Sequence, residues 1–110
     1  METKMARPVR GSSTGRPIMR LFDVLGERWT LRILWELKQE TLNFRALRER
    51  CDKVSPTSLN KRLKVLRELN LVVHDEEGYS LSDTGQGLGS QLLSLHEWAE
   101  TWATSLVDAK

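Results

Sequence analysis

The sequence has very little of what builds disulfides, metal sites and membrane spans. Its 110 residues include one cysteine, two histidines and three prolines. Cys51 alone cannot form an intramolecular disulfide, and no Cys/His spacing matches a zinc site. No apolar run approaches the roughly 20 residues of a membrane span, and the N-terminus lacks the apolar stretch of a signal peptide. We therefore expect one soluble, cytoplasmic domain with no structural metal, no cofactor and no membrane partner.

Groups that carry out catalysis are equally scarce. His74 and His96 lie far apart in the sequence, and no nucleophile, base and orienting residue converge around either. Gly85, Gly87 and Gly89 resemble a phosphate-binding loop, but no strand of a βαβ unit precedes them and no Lys-Ser/Thr pair follows. We interpret these glycines as loosening the start of a helix, and the histidines as surface or interface residues. The sequence does not predict an enzyme.

Charge is distributed unevenly, although the net charge is only +2. Residues 1–70 carry sixteen Lys and Arg against eight Asp and Glu, whereas residues 71–110 carry one against seven. The first two-thirds of the chain can therefore face a polyanion, and the last third cannot. Charge alone is equally compatible with basic helix faces that are simply solvated.

Residues 1–17 predict a flexible basic arm. They contain Arg7, Arg10 and Arg16 among glycines, serines and prolines, and they show no apolar periodicity. Such an arm is either disordered without a function or adds phosphate or minor-groove contacts to a nucleic-acid complex. The remaining residues 18–110 are expected to form the folded domain.

Apolar residues at helical spacing predict three helices in the first half of this domain. The first begins near Ile18 and ends at Gly26, a residue type that suits a helix end. The second follows from Trp29, is apolar on more than one face, and is expected to be the hub of the core. The third is short and can be capped by Thr41 or Asn43.

A fourth helix, a hairpin and a long last helix complete the pattern. Ser55 is a good N-cap residue and Pro56 suits the first helical turn, after which leucines continue the apolar stripe. Residues 71–81 contain two short runs of strand formers around an acidic turn, which predicts a β-hairpin. The last helix can be capped by Ser82 or Asp83. The predicted fold class is therefore mostly α with a small β-hairpin.

The third and fourth helices, joined by a turn of about four residues, form the pattern that places the second helix in the major groove of DNA. If the leucines of the fourth helix face the core, its outer side is polar and cationic. Thr57 and Asn60 can then reach base edges. Lys61 and Lys64 can contact either guanine or phosphate. A solvated surface helix also explains such a face. The outer face comprises Pro56, Thr57, Asn60, Lys61, Lys64 and Arg67.

Four ordered sequence blocks carry a family resemblance. They are LGERWTLRIL at residues 25–34, LNFRAL at 42–47, VSPTSLNKRL at 54–63 and YSLSDTG at 79–85. In this order the blocks resemble the HxlR family over roughly residues 18–105. The resemblance implies a dimeric winged helix-turn-helix transcription regulator, related in architecture to the MarR group. It also implies that the recognition helix spans Ser55 to Arg62, which adds these two residues to the candidate DNA contacts.

Two features depart from the family pattern. Many relatives have a longer wing with Pro and basic residues, whereas Asp75, Glu76 and Glu77 lie near the tip here and would repel phosphate. Many relatives also have a cysteine before the first helix that senses oxidants or electrophiles, and residues 15–18 contain none. Cys51 is interpreted as a small buried side chain; the alternative is that its modification disturbs the adjacent turn and releases DNA.

The apolar stripe of the last helix has no obvious partner in so small a chain. A two-fold axis supplies one, so we expect a homodimer formed by the first and last helices. Trp98 and Trp102 could instead line a pocket for an unknown small-molecule effector. The predicted interface comprises Ile18, Leu21, Phe22, Leu92, Leu95, Trp98, Trp102 and Leu106.

These expectations combine into a double-stranded DNA-binding regulator of transcription that acts as a repressor. The dimer would place its two recognition helices in successive major grooves, about 34 Å apart, at a near-palindromic operator. The alternative is a winged-helix protein–protein interaction module in which the basic face docks an acidic partner. Sequence-specific retention on duplex DNA separates the two functions.

Overall fold

The computed structural model describes residues 15–108, which form five helices and one antiparallel hairpin. The predicted fold, mostly α with a small hairpin, is confirmed. The predictions for Arg7 and Arg10 lie outside the described residues. Within this part of the chain, no helix is long and apolar enough to cross a membrane. The elements in chain order are α1 Pro17–Leu25, α2 Thr30–Gln39, α3 Phe44–Arg50, α4 Pro56–Glu68, β1 Val72–Asp75, β2 Gly78–Leu81 and α5 Asp83–Asp108.

Helices α3 and α4 begin at caps that the sequence predicts. The Asn43 side chain accepts a hydrogen bond from the Ala46 amide at 2.8 Å, and Ser55 Oγ accepts one from the Ser58 amide at 3.1 Å. Pro56 follows at the start of α4, where its missing N–H costs nothing. Because a helix start leaves its first amides without intrahelical partners, these contacts fix where both helices begin.

Helix α2 is the centre of the core, as predicted. Ile33, Leu34 and Leu37 are at most 2% exposed, whereas Leu31 lies at the surface. Trp29 packs half-buried against the same core. The other elements contribute mainly leucine and valine side chains, so one hydrophobic cluster holds the described residues together. These other members are Leu42, Leu47, Cys51, Val54, Leu59, Leu63, Leu66, Val72, Tyr79, Leu81 and Leu92.

The hairpin is tied to the loop between α2 and α3. Val72–Asp75 pairs antiparallel with Gly78–Leu81. Leu42 forms a further antiparallel bridge with Tyr79, through backbone hydrogen bonds of 3.0 and 2.7 Å. Gly78 has a φ of +129°, and a Cβ there would lie 2.6 Å from the Leu42 carbonyl oxygen. Only glycine fits where the hairpin meets this loop.

Two of the glycines near the start of α5, Gly85 and Gly89, allow close packing, which the sequence does not predict. The helix is continuous from Asp83. A Cβ on Gly85 would lie 2.1 Å from the Leu71 carbonyl oxygen, and one on Gly89 would lie 3.2 Å from the Leu81 side chain. Helix α5 reaches the segment after α4 and the hairpin because these two positions lack side chains.

The second half of α5 projects from the domain. No residue in 93–108 is buried. Trp98 and Trp102 stack on each other with ring centroids 5.9 Å apart and are 60% and 50% exposed. An amphipathic helix gains little stability without a surface to pack against, so this half of α5 offers an apolar face for a further contact.

Candidate nucleic-acid interface

A well-ordered turn joins α3 to α4. Asp52 and Lys53 both adopt the left-handed conformation, with φ values of 55° and 59°. The Lys53 amide donates to the Arg48 carbonyl at 2.9 Å, and Arg48 Nε donates to the Val54 carbonyl at 2.7 Å. Val54 itself is buried in the core. Hydrogen bonds and one buried side chain therefore fix how α4 leaves α3.

Helix α4 presents a polar face to solvent. Leu59, Leu63 and Leu66 are at most 1% exposed and thereby set the rotation of the helix. The opposite side carries cations and amide or hydroxyl groups, and its first carboxylate is Glu68 at the helix end. The structure brings together on this side all the residues predicted from the helical pattern. Pro56, Thr57, Asn60, Lys61, Lys64 and Arg67 are exposed, as is the cap residue Ser55.

A shallow groove between α4 and the hairpin extends this face. Lys64, Arg67 and Glu68 of α4 lie on one side of it, and Val73 and His74 of β1 lie on the other. His74 stacks on Tyr79 with ring centroids 4.0 Å apart and an interplanar angle of 1°. A ring that can donate a hydrogen bond thus lines the same groove as two cations, which suit an anionic backbone, and one carboxylate, which does not. The sequence predicted His74 only as a surface or interface residue, because its position depends on strand pairing.

The hairpin tip is acidic and exposed. Asp75, Glu76 and Glu77 all lie at the surface. The Glu77 amide donates to Asp75 Oδ1 at 2.8 Å, which tightens the turn. Since these carboxylates repel phosphate, the tip is the least suitable part of this side of the molecule for contact with DNA.

Arg62 points to a different part of the molecule. Its Nε donates to the Arg28 carbonyl at 3.1 Å, and its Nη2 lies 3.3 Å from Glu27 Oε2. The side chain is 19% exposed. The guanidinium that the family resemblance assigned to DNA is therefore engaged with the segment between α1 and α2.

The predicted dimer surface lies on α1 and α5. Leu21 is half-buried, and Leu92 is 9% exposed because it packs in the core of its own chain. The other predicted interface residues are apolar side chains that stay about half exposed. Ile18, Phe22, Leu95, Trp98, Trp102 and Leu106 are between 46% and 60% exposed.

Two helices joined by a tight turn, followed by a β-hairpin, define the winged helix-turn-helix class of transcription regulators. Residues 24–106 match the HxlR-like helix-turn-helix family, and the chain belongs to this family.

The chain is 30% identical to an uncharacterized HTH-type transcriptional regulator, MJ0925, of Methanocaldococcus jannaschii, over 76% of this chain and 83% of that one. It is also similar to the crystal structure of quinone-bound YodB from B. subtilis. That similarity has a TM-score of 0.70 and 26% identity, over 76% of this chain and 96% of that one. The family resemblance read from the four sequence blocks is confirmed.

Proposed function

We propose that the protein is a sequence-specific repressor that binds double-stranded DNA as a homodimer at a near-palindromic operator. The observation that carries this proposal is the exposed cationic face of α4, which follows a helix-turn-helix corner and has no acidic residue before Glu68. A helix with these properties fits the major groove, where base edges are accessible. Repression follows from occupancy alone, because a protein seated on a promoter excludes other proteins without further contacts.

Within this proposal, residues along α4 divide into base contacts and backbone contacts. Thr57 and Asn60 lie near the N-terminus of the helix, which enters the groove first, and Asn60 can pair with adenine through both amide atoms. Lys61 binds guanine or phosphate. Lys64 and Arg67 face the groove beside His74 and bind the phosphate backbone, which positions the helix without reading sequence.

The homodimer supplies a partner for the exposed apolar residues of α1 and for those of α5. Trp98, Trp102 and Leu106 repeat at steps of four and form one stripe on α5. Ile18 and Phe22 form a second exposed apolar surface on α1. A two-fold axis lets each of these surfaces meet its counterpart in a second copy, and it gives the complex the symmetry of a palindromic site.

We expect Lys61→Gln and Lys64→Gln each to weaken binding and to reduce its salt dependence. The test uses duplexes that the purified protein selects from a random pool at near-physiological salt. The slope of log K against log salt is negative, and each phosphate contact that is lost should make it less negative by about 0.9. Fluorescence anisotropy over a salt series measures both effects.

Lys38→Gln is the charge-matched control. Lys38 Nζ lies 5.8 Å from the centroid of the Trp35 ring, on the helix that packs against α5. Its loss should leave the slope unchanged. Equal slopes in all three variants would rule out the α4 face as the DNA contact. If wild-type protein selects no duplex above non-specific binding, the protein–protein interaction module becomes the preferred function.

A small-molecule effector is part of this proposal, because the YodB structure contains a bound quinone. Cys51 is a poor site for a reactive effector. Its side chain is fully buried, and burial raises the pKa of its thiol from 9.0 to about 11. Since the thiolate is the reactive form, a rise of this size makes it about a hundred times rarer at neutral pH. An effector is therefore expected to bind without reacting with Cys51.

Cys51 in the native protein is expected to resist alkylation. At pH 7.5, iodoacetamide should modify it at least about 100-fold more slowly than in protein unfolded in guanidinium chloride. Intact mass spectrometry over a time course measures both rates. Rapid modification of the native protein, with simultaneous loss of DNA binding, would instead support Cys51 as a sensor that acts through the adjacent turn.

A further inference from the structure

A tight corner connects α1 to α2. The Glu27 amide donates to the Val24 carbonyl at 3.2 Å, and the Thr30 amide donates to the Glu27 carbonyl at 3.2 Å. Trp29, which lies between Glu27 and Thr30 in the chain, adopts the left-handed conformation with a φ of 77°. Its side chain packs against the core. The corner is therefore a defined structure rather than a loose loop, and it can serve as a fixed point for other parts of the chain.

Arg62 joins the recognition helix to this corner. It makes two polar contacts there, one with the Arg28 carbonyl and one with the Glu27 carboxylate. Arg62 and Lys64 are two positions apart, which separates them by about 200° around the helix. The Arg62 side chain therefore leaves α4 on a flank away from Lys64, and its guanidinium is occupied within the chain.

The two polar contacts differ in kind from the other contacts of α4. Leu59, Leu63 and Leu66 hold the helix against the core by apolar burial, which resists separation but has no preferred direction. A guanidinium with one carbonyl and one carboxylate partner makes directional contacts, which favour one orientation of the helix over others. Arg62 is thus suited to set the orientation of α4 relative to α1.

We propose that Arg62 is a positioning residue, which ties the recognition helix to the α1–α2 corner and thereby sets the geometry between the two recognition helices of the dimer. This inference rests on the proposed function, in which α1 contributes Ile18 and Phe22 to the dimer interface. The corner follows directly after α1. Arg62 therefore links the interface helix to the DNA-binding helix of the same chain, and it does so without touching DNA.

The test compares Arg62→Gln and Glu27→Gln on selected duplexes whose half-site spacing is altered by one or two base pairs. Both variants should lose about ten-fold in affinity at the preferred spacing and tolerate the altered spacings better than wild type does. The double variant should lose no more than Arg62→Gln alone. The salt slope should stay at the wild-type value in the two single variants and in the double variant, whereas Lys61→Gln makes it less negative by about 0.9.

Opposite results identify Arg62 as a phosphate contact and overturn the inference. In that case Arg62→Gln makes the salt slope less negative by about 0.9 at every spacing. Glu27→Gln, which removes a negative charge near the DNA, then binds as tightly as wild type or more tightly. Arg62→Lys separates the two roles further, since it keeps the charge but cannot reproduce both directional contacts. It should resemble Arg62→Gln in spacing preference.

A measurement without DNA keeps the inference separate from the proposed function. In the free protein, Arg62→Gln should speed hydrogen exchange of the Glu27 and Thr30 amides about ten-fold, while amides in the centre of α2 keep their protection. Unchanged exchange at the corner would overturn the link between Arg62 and the corner. A wild-type protein that selects no duplex would contradict the proposed function alone.

Discussion

Trp102→Asp is expected to convert the protein from a dimer to a monomer and to lower its affinity for the selected operator by about 100-fold or more. The half-exposed Trp102 lies in the middle of the apolar stripe on α5, stacked on Trp98. A carboxylate at this position would be buried without a partner in the dimer, which is strongly unfavourable. The monomer loses the second half-site contact and the affinity that comes from binding both half-sites together. Sedimentation velocity and fluorescence anisotropy measure the two effects.

Leu93→Asp is the matched control for this substitution. Leu93 is also an exposed apolar residue of α5, at 44% exposure, but nine positions from Trp102 it lies on the opposite side of the helix. The Leu93→Asp variant should remain a dimer and bind DNA as wild type does. Far-UV circular dichroism checks that both variants stay folded. If Trp102→Asp remains dimeric, or if Leu93→Asp becomes monomeric, the proposed interface is in the wrong place.

Gly85→Ala is expected to destabilise the protein severely. The added Cβ would lie 2.1 Å from the Leu71 carbonyl oxygen and 3.3 Å from the Leu81 Cβ, so backbone must move to accommodate it. The same carbonyl accepts a hydrogen bond from the Ser82 amide at 3.0 Å, and that contact would be strained as well. We expect a loss of about 3 kcal/mol in the free energy of unfolding. In a domain of this size, thermal melting should detect a fall in Tm of roughly 12 to 24 °C.

Gly87→Ala, two residues further along the same helix, should have the opposite effect. A Cβ there meets no atom within 4 Å. Replacing an exposed glycine inside a helix by alanine raises stability by about 0.5–1 kcal/mol. The two variants share the chemical change and differ only in the space around it. Similar melting temperatures for both would show that close approach at Gly85 does not govern stability.

The helix-turn-helix could be predicted because its signals are local. Asn43 and Ser55 are good caps within their own peptide segments, and Pro56 adds a first-turn preference that does not depend on the rest of the fold. The leucine spacing of α4 then determines which residues point outward. For these reasons the exposure of Asn60 and Lys61 agrees with the sequence-based prediction.

The features that could not be predicted depend on contacts between distant segments. The local sequence indicates Gly85 only as a residue that loosens the start of a helix, because the approach of the Leu71 carbonyl is not visible in it. Arg62 is a candidate DNA contact through the family resemblance alone, and its contact with Glu27 cannot be predicted because the two residues lie far apart in the chain. Leu92 continues the apolar stripe of α5, yet it is buried in the core of its own chain. Periodicity indicates that a residue lies on the apolar face of its helix. It does not say whether that face packs against the same chain or against a second copy.

Chemical footprinting of the selected duplex tests the central proposal most directly. Guanine N7 methylation reports major-groove contact, and the proposal predicts two protected patches related by two-fold symmetry, with centres about 10 base pairs apart on one face of the duplex. Lys61→Gln should weaken protection in both patches equally, because the two copies are identical. A single patch, or protection spread evenly along the duplex, would contradict a dimer that reads two half-sites through α4.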